Sequence, residues 1–357
     1  MDGERWNTWL EGTENVSEGL IGTAVGPEGA EVSDEVASSG PTPGMGVELD
    51  ESVLARAAAR AAAGAAAPLR LMAVHAHPDD ESSKGAASLA KYVGDGVGVM
   101  VVSCTGGERG DILNPRFTTA HSDIPSLRIV EMARAAEILG VAHTWLGFED
   151  SGYHEGAPES WQLPKGSFGD LDVDVETEAL VRVVRTFRPH VMTTYDENGG
   201  YPHPDHIRCH VVSMAAFEAA GDPDAFPGAG DPWQPLKLYY NVGFSRARML
   251  AINEAVRERT GDGPFDEWIQ RFADNPRPDP GTRITTRIPA ADYFGKRDLA
   301  LLAHETQIDP TSHWFAVPHD IEASVWGTDD YELARSLVDT EVPETDLFAG
   351  IRERVVS

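Results

Sequence analysis

Four compact apolar runs, each followed by a stretch of helical periodicity, limit what this chain can fold into more than any other feature. They are residues 69–76 (LRLMAVHA), 97–105 (VGVMVVSCT), 142–148 (AHTWLGF) and 190–195 (HVMTTY). Runs this short and this continuous suit strands buried on both faces. The helical stretches between and after them are SSKGAASLAKYV, PSLRIVEMARAAEILG, ETEALVRVVRTFRP and DHIRCHVVSMAAFEAA. Gly140 suits the end of the second, and Pro189, which lacks a backbone N–H, stops the third. Strands alternating with helices require crossover connections, and right-handed crossovers build a parallel sheet with helices on both faces. The expected fold class is therefore α/β, with a mostly parallel sheet. Beyond KLYYNV (237–242) the pattern is mixed, with helices expected over 246–259 and 293–307.

The first 67 residues do not belong to this pattern. They hold 12 Asp and Glu against 3 Lys and Arg, and their large apolar residues are scattered. Such a segment buries too little apolar surface to offset chain entropy, so residues 1–67 are expected to form a disordered leader. Its last part, VLARAAARAAAGAAA, is Ala-rich enough for a helix, although an isolated helix of that length is marginal. Residues 68–357 are expected to form one domain.

Charge narrows the choice of partners. A formal net charge of −29 repels phosphate backbones, which argues against a broad nucleic-acid surface. No run of about eighteen uncharged apolar residues occurs, so no membrane span is expected. The amino terminus lacks a basic start followed by an apolar stretch, and so does not read as a secretory signal. Two cysteines, Cys104 and Cys209, are too few for a disulfide framework and fit a reducing compartment. The expectation is a cytoplasmic protein.

Open parallel sheets place ligands beyond the carboxyl ends of their strands. The first strand runs directly into His75-Ala76-His77-Pro78-Asp79-Asp80-Glu81, and the fourth leads into Tyr201-Pro202-His203-Pro204-Asp205-His206. Two clusters of His and Asp are thereby brought to one end of one sheet. Pro204 suits the first position of a helix, which makes His203 its cap and sets His203 and His206 on one face. His77, Asp80 and His206 give two imidazoles and one carboxylate with a position left open, the donor set of a catalytic zinc. Iron or manganese would also accept such a set. The open position admits water, whose proton the neighbouring Asp79 can take as general base. His203, oriented by Asp205, can stabilise an oxyanion or protonate a leaving amine.

HAHPDDE followed far downstream by HPDH resembles the signature of the LmbE-like, or PIG-L-like, zinc N-deacetylases. The resemblance begins near Leu69 and implies a Rossmann-like domain that hydrolyses amides on aminosugars. The stretches TGGERGDILNP, LGFEDSG, TTYDENGGYPHPDHIRCH, ETQIDP and ETDLFAGI resemble the amidase branch of that family, whose substrates are mycothiol S-conjugates. The alternative is its sister branch, the N-acetylglucosaminyl-inositol deacetylases. By resemblance His77, Asp80 and His206 hold zinc, one ion per subunit, and Asp79 activates water. His203 acts on the tetrahedral intermediate with Asp205 tuning it, and Tyr201 helps to hold the substrate oxygen. Arg128 and Asp150 match positions that grip inositol and sugar hydroxyls. Glu108, in the loop after the second strand, is expected to be a polar contact. Lys84 stands where the two branches differ and is expected to reach the acyl side of the substrate. His304 and His313 carry no expected role.

Overall fold

The computed structural model describes residues 51–117, 123–243, 245–274 and 278–355. Chain order runs α1 (Glu51–Ala66), β1 (Arg70–His75), α2 (Asp80–Ser83), α3 (Ala86–Gly94), β2 (Gly98–Thr105), α4 (Ile124–Leu139) and β3 (Ala142–Phe148). Then come α5 (Val173–Phe187), β4 (Val191–Thr194), α6 (Pro204–Ala219), β5 (Lys237–Val242), α7 (Arg246–Thr260) and α8 (Asp266–Asp274). The last elements are β6 (Thr286–Pro289), α9 (Phe294–Ala303), α10 (His319–Trp326), β7 (Thr328–Ser336) and α11 (Arg352–Val355).

The seven strands form one sheet in the order β3-β2-β1-β4-β5-β7-β6. The first five are parallel to one another, while β7 runs antiparallel to both β5 and β6. The mostly parallel sheet expected from the sequence is present, and the antiparallel pair at one edge adds to it. Alternate residues of β1 serve opposite layers. Leu71 and Ala73 pack with Leu89, Met132 and Leu139 beneath α3 and α4. Met72 and Val74 pack with Leu180, Val184 and Val212 beneath α5 and α6. Side chains two apart in a strand share a face, so a continuous apolar strand feeds two cores at once. Cys104 and Cys209 are buried in the second core as free thiols.

Where helices start and stop follows local chemistry. The Asp172 carboxylate accepts from the Asp174 N–H at the start of α5. The α6 start is capped by His203, whose Nδ1 accepts the Asp205 N–H at 3.2 Å, with Pro204 at the first helical turn. The helix expected over 293–307 is shorter than its apolar pattern, because α9 ends at Ala303 and the chain turns inward at His304.

The Ala-rich end of the expected leader differs from its expectation. Residues 51–66 form α1, anchored by Arg60 Nε donating to the Val141 carbonyl at 3.2 Å and by Arg56 on Glu137 at 2.9 Å. A Cβ on Gly98 would lie 2.0 Å from the Gly64 carbonyl oxygen, so two glycines permit the close crossing of α1 over β2. Tertiary contact supplies what an isolated helix lacks. The rest of that expectation, residues 1–50, lies outside the described residues.

Candidate active site

The carboxyl ends of β1 and β4 are adjacent, and the HPDDE and HPDH loops meet above them. The three histidine rings of the two loops form one cluster. Ring centres lie 4.6 Å apart for His77 and His203, 5.3 Å for His77 and His206, and 5.1 Å for His203 and His206. Ligand atoms of these three come within 4.8 Å of one another, as do those of His77, Asp150 and Asp205. Asp80 faces the cluster, with Oδ2 3.5 Å from His77 Nδ1 and 3.4 Å from His206 Nε2.

The tautomers follow from the outer partners. His206 Nδ1 sits 2.9 Å from the Gly199 carbonyl, which requires a proton on that nitrogen. Its Nε2 then presents a lone pair, and this buried atom has no hydrogen-bond partner. A lone pair facing a carboxylate at 3.4 Å is unfavourable unless a cation lies between them. His77 repeats the arrangement, since its Nε2 can donate to Asp205 Oδ2 at 3.2 Å and leave Nδ1 towards Asp80. The donor set thus fits a divalent metal held by His77, Asp80 and His206, with outer hydrogen bonds orienting both imidazoles.

Asp80 is held as an anion. Burial opposes its charge, but Lys84 and His206 outweigh burial and keep the carboxyl well below its usual range. Lys84 Nζ donates to Asp80 Oδ1 at 2.6 Å, and the Tyr195 hydroxyl donates to Oδ2 at 2.7 Å. His203 is kept neutral, first by burial and then by the neighbouring His77 and His206.

Asp79 adopts a left-handed backbone, with φ of 95°. A non-glycine residue there carries strain that its surroundings must offset. Its N–H donates to Glu81 Oε2 at 3.0 Å, and its carboxylate accepts from Arg128 Nη2 at 2.8 Å. Burial pushes its pKa up to about 6, while Arg128 works in the opposite direction. Glu81 is in turn held by His304, whose Nε2 lies 2.8 Å from Glu81 Oε1 in a fully buried pair.

Several expected residues take different positions from those foreseen. The Asp205 carboxylate does not hold His203. It accepts from the Ser151 N–H at 2.9 Å and faces His77, and only its backbone N–H reaches His203. The reason is helical geometry: an N-cap ring turns back to the second backbone N–H, while that residue's side chain projects elsewhere. Arg128 is buried, with its guanidinium on Pro78, Asp79 and Gly107. Asp150 is also buried and accepts from the N–H groups of Arg109 and Gly152. Glu108 accepts from the N–H groups of Gly106 and Asp150, so it shapes its own loop. Tyr201 stands over His206 at a ring separation of 4.5 Å.

Sequence reasoning missed Tyr195, Glu81 and His304. Tyr195 and Glu81 flank the motifs and could have been suspected from position alone. His304 lies more than two hundred residues from Glu81, and no local pattern announces the pair.

Three comparisons bear on this arrangement. The family model "PIG-L: GlcNAc-PI de-N-acetylase" matches residues 72–217, a span that includes both the HPDDE and the HPDH loops. The chain is 54% identical over 290 residues to the mycothiol S-conjugate amidase of Streptomyces coelicolor, covering 80% of this chain and 98% of the relative. It is 37% identical over 294 residues to the 1D-myo-inositol 2-acetamido-2-deoxy-alpha-D-glucopyranoside deacetylase of Streptomyces scabiei, covering 79% and 90%. Among solved structures, the N,N'-diacetylchitobiose deacetylase of Pyrococcus horikoshii superposes with a TM-score of 0.50 at 14% identity, covering 81% and 94%, a likeness of fold.

Proposed function

This chain belongs to the PIG-L, or LmbE-like, family of de-N-acetylases, and on that premise we propose that it hydrolyses the amide of mycothiol S-conjugates. The products are an S-substituted N-acetylcysteine, a mercapturic acid, and glucosaminyl-inositol. The reaction serves detoxification of electrophiles in the cytoplasm. The observation that carries this reading is the 54% identity to an amidase of that activity over nearly its whole length.

His77, Asp80 and His206 would hold a zinc ion, which when bound would supply Lewis acidity at the scissile amide, with ferrous iron as the other candidate. The remaining steps belong to side chains of this protein. Asp79, ionised above about pH 6, takes the proton of the attacking water. The neutral His203 and the Tyr201 hydroxyl donate to the oxygen that gains charge as the carbonyl becomes tetrahedral. The proton taken by Asp79 passes to the amine nitrogen as the C–N bond breaks, so base and acid are one group in succession. Lys84 keeps Asp80 ionised and stands on the acyl side. Arg128 positions Asp79, while Asp150 and Glu108 shape the wall that meets the sugar and inositol.

The sister activity, deacetylation of N-acetylglucosaminyl-inositol, is the second reading, favoured by the 37% identity to deacetylases. Side-by-side assay of the zinc-loaded protein on a mycothiol S-conjugate and on N-acetylglucosaminyl-inositol, with a chelated control, tests both. Faster, chelator-sensitive cleavage of the conjugate is expected. Preference for the acetylated sugar would replace the first reading with the second.

A further inference from the structure

A cleft that the catalytic residues do not occupy opens on the far side of Lys84. Its cavity volume is about 100 Å³, and it is lined by Lys84 and Gly85 at one end, the exit of β5, and residues of α7, α10 and the segments beside them. Its apolar wall consists of Val242, Met249, Ile252, Phe265, Trp314 and Val317. Met249, Ile252 and Phe265 belong to a small third core, separate from the two that sandwich the sheet.

The charged groups in this cleft are matched within the protein. Arg248 and Arg297 both bind Glu322, the latter through two contacts of 2.9 Å. Asp330 accepts from the Trp326 indole N–H at 2.7 Å, and Asp329 from the Ser88 N–H at 2.7 Å. Lys84 is committed to Asp80 at 2.6 Å. A cleft whose charges are already paired offers an incoming molecule mainly apolar contact, and ligand sites of this kind are commonly apolar with few polar groups.

Position identifies the occupant. The metal-site residues sit over β1 and β4. On the β2 and β3 side stand Arg128, Glu108 and Asp150, and on the β5 and β7 side opens the cleft. An amide carbonyl at the metal site with its amine half over β2 and β3 must send its acyl half past Lys84. Gly85 lets one wall of the cleft pack tightly, since at φ +84° a Cβ there would fall 2.6 Å from the Tyr331 hydroxyl. The strand pair that carries Tyr331 and Asn241 can thus close against the Lys84 turn.

We propose that this cleft is the subsite for the organic group on the substrate sulfur, and that it selects apolar alkyl or aryl thioethers. This rests on the amidase reading above, and its test separates the two. Binding of S-methyl, S-butyl and S-benzyl N-acetylcysteine to the metal-loaded full-length protein is measured by calorimetry, alongside cleavage of a mycothiol S-conjugate. Burying a methylene is worth about 0.8 kcal/mol, so affinity should rise roughly fourfold per added methylene. Trp314→Ala and Ile252→Asn should flatten that rise to less than half its slope. Trp314 lies on the more exposed wall, so its variant carries the test if Ile252→Asn fails to fold. Affinity independent of the S-substituent, or an unaltered slope in Trp314→Ala, overturns the subsite. A retained slope without cleavage of the conjugate would leave the subsite standing and remove the amidase reading. Cleavage without a slope does the reverse.

Discussion

Two neighbouring acids, Asp80 buried and Asp79 half-buried, show at the residue scale how environment sets chemistry. Asp79 and Asp80 are adjacent, yet Lys84 and His206 hold one well below the usual carboxylate range while burial lifts the other to about 6. That separation suits the proposed roles, a permanent charge for a metal ligand and proton traffic near neutral pH for a base. Asp79→Asn should keep its metal, read by elemental analysis, while turnover falls by about 10²–10⁴-fold, the usual contribution of a general base. Turnover within threefold of the parent would remove Asp79 from the chemistry. His304 acts one step back by holding Glu81, which holds the Asp79 N–H. Breaking a buried pair of this kind costs about 3–5 kcal/mol. His304→Ala should lose that much in urea unfolding and slow turnover as well, whereas a change in neither would reduce the pair to packing. Glu176 is fully buried with Arg208 Nε 3.2 Å from its Oε2, and burial outweighs that cation and pushes its pKa up to about 8 from 4.5. A folded-state pKa above the unfolded one favours folding below 4.5, and that contribution is lost as pH rises through 8. The parent should therefore lose stability between about pH 5 and 8. Glu176→Gln should flatten the decline and melt higher at pH 8, and parallel melting curves for the two would contradict this.

At the scale of elements, the crossing of α1 over β2 is the contact most open to test. The approach of Gly98 to the Gly64 carbonyl leaves no room for a methyl group. Gly98→Ala should cost about 1–3 kcal/mol, as overpacking does, seen as a lower melting temperature. Its cost should vanish in protein lacking residues 1–67. An equal loss in both would place the strain inside the sheet rather than at the helix. The α6 start makes a related point. One turn of chain supplies the cap His203, the Asp205 carboxylate that faces His77 and the proposed ligand His206, because Pro204 fixes where the helix begins. A helix starting one residue later would rotate His206 by about 100° and remove it from Asp80.

The whole molecule is tied together at the site. Residues 77, 80 and 206 come from the exits of β1 and β4, so a bound metal bridges elements that are distant in sequence. A ligand bound only by the folded state stabilises it by about 4 kcal/mol at a thousandfold excess over its dissociation constant. Chelation should lower the melting temperature and added zinc should restore it, and identical melting with and without chelator would argue against that bridge. Much of this architecture was legible in the sequence. Apolar runs marked β1 to β4, caps and prolines marked the helix ends, and HPDDE and HPDH marked one end of the sheet, because strand burial, capping and strand-exit loops are local properties. The antiparallel strands β6 and β7 were not legible, since β6 has only four residues and β7 is of mixed polarity, so both are defined by their partners. Nor was the inward turn at His304, which interrupts an apolar pattern that would otherwise continue as helix. The sequence by itself therefore determined the sheet's parallel half and which side chains could carry chemistry there. Only the tertiary structure decided how they pair: Asp205 with His77 rather than His203, Arg128 with Asp79, and His304 with Glu81. Pairing depends on directions and distances between side chains remote in sequence, and those exist only once the layers have packed.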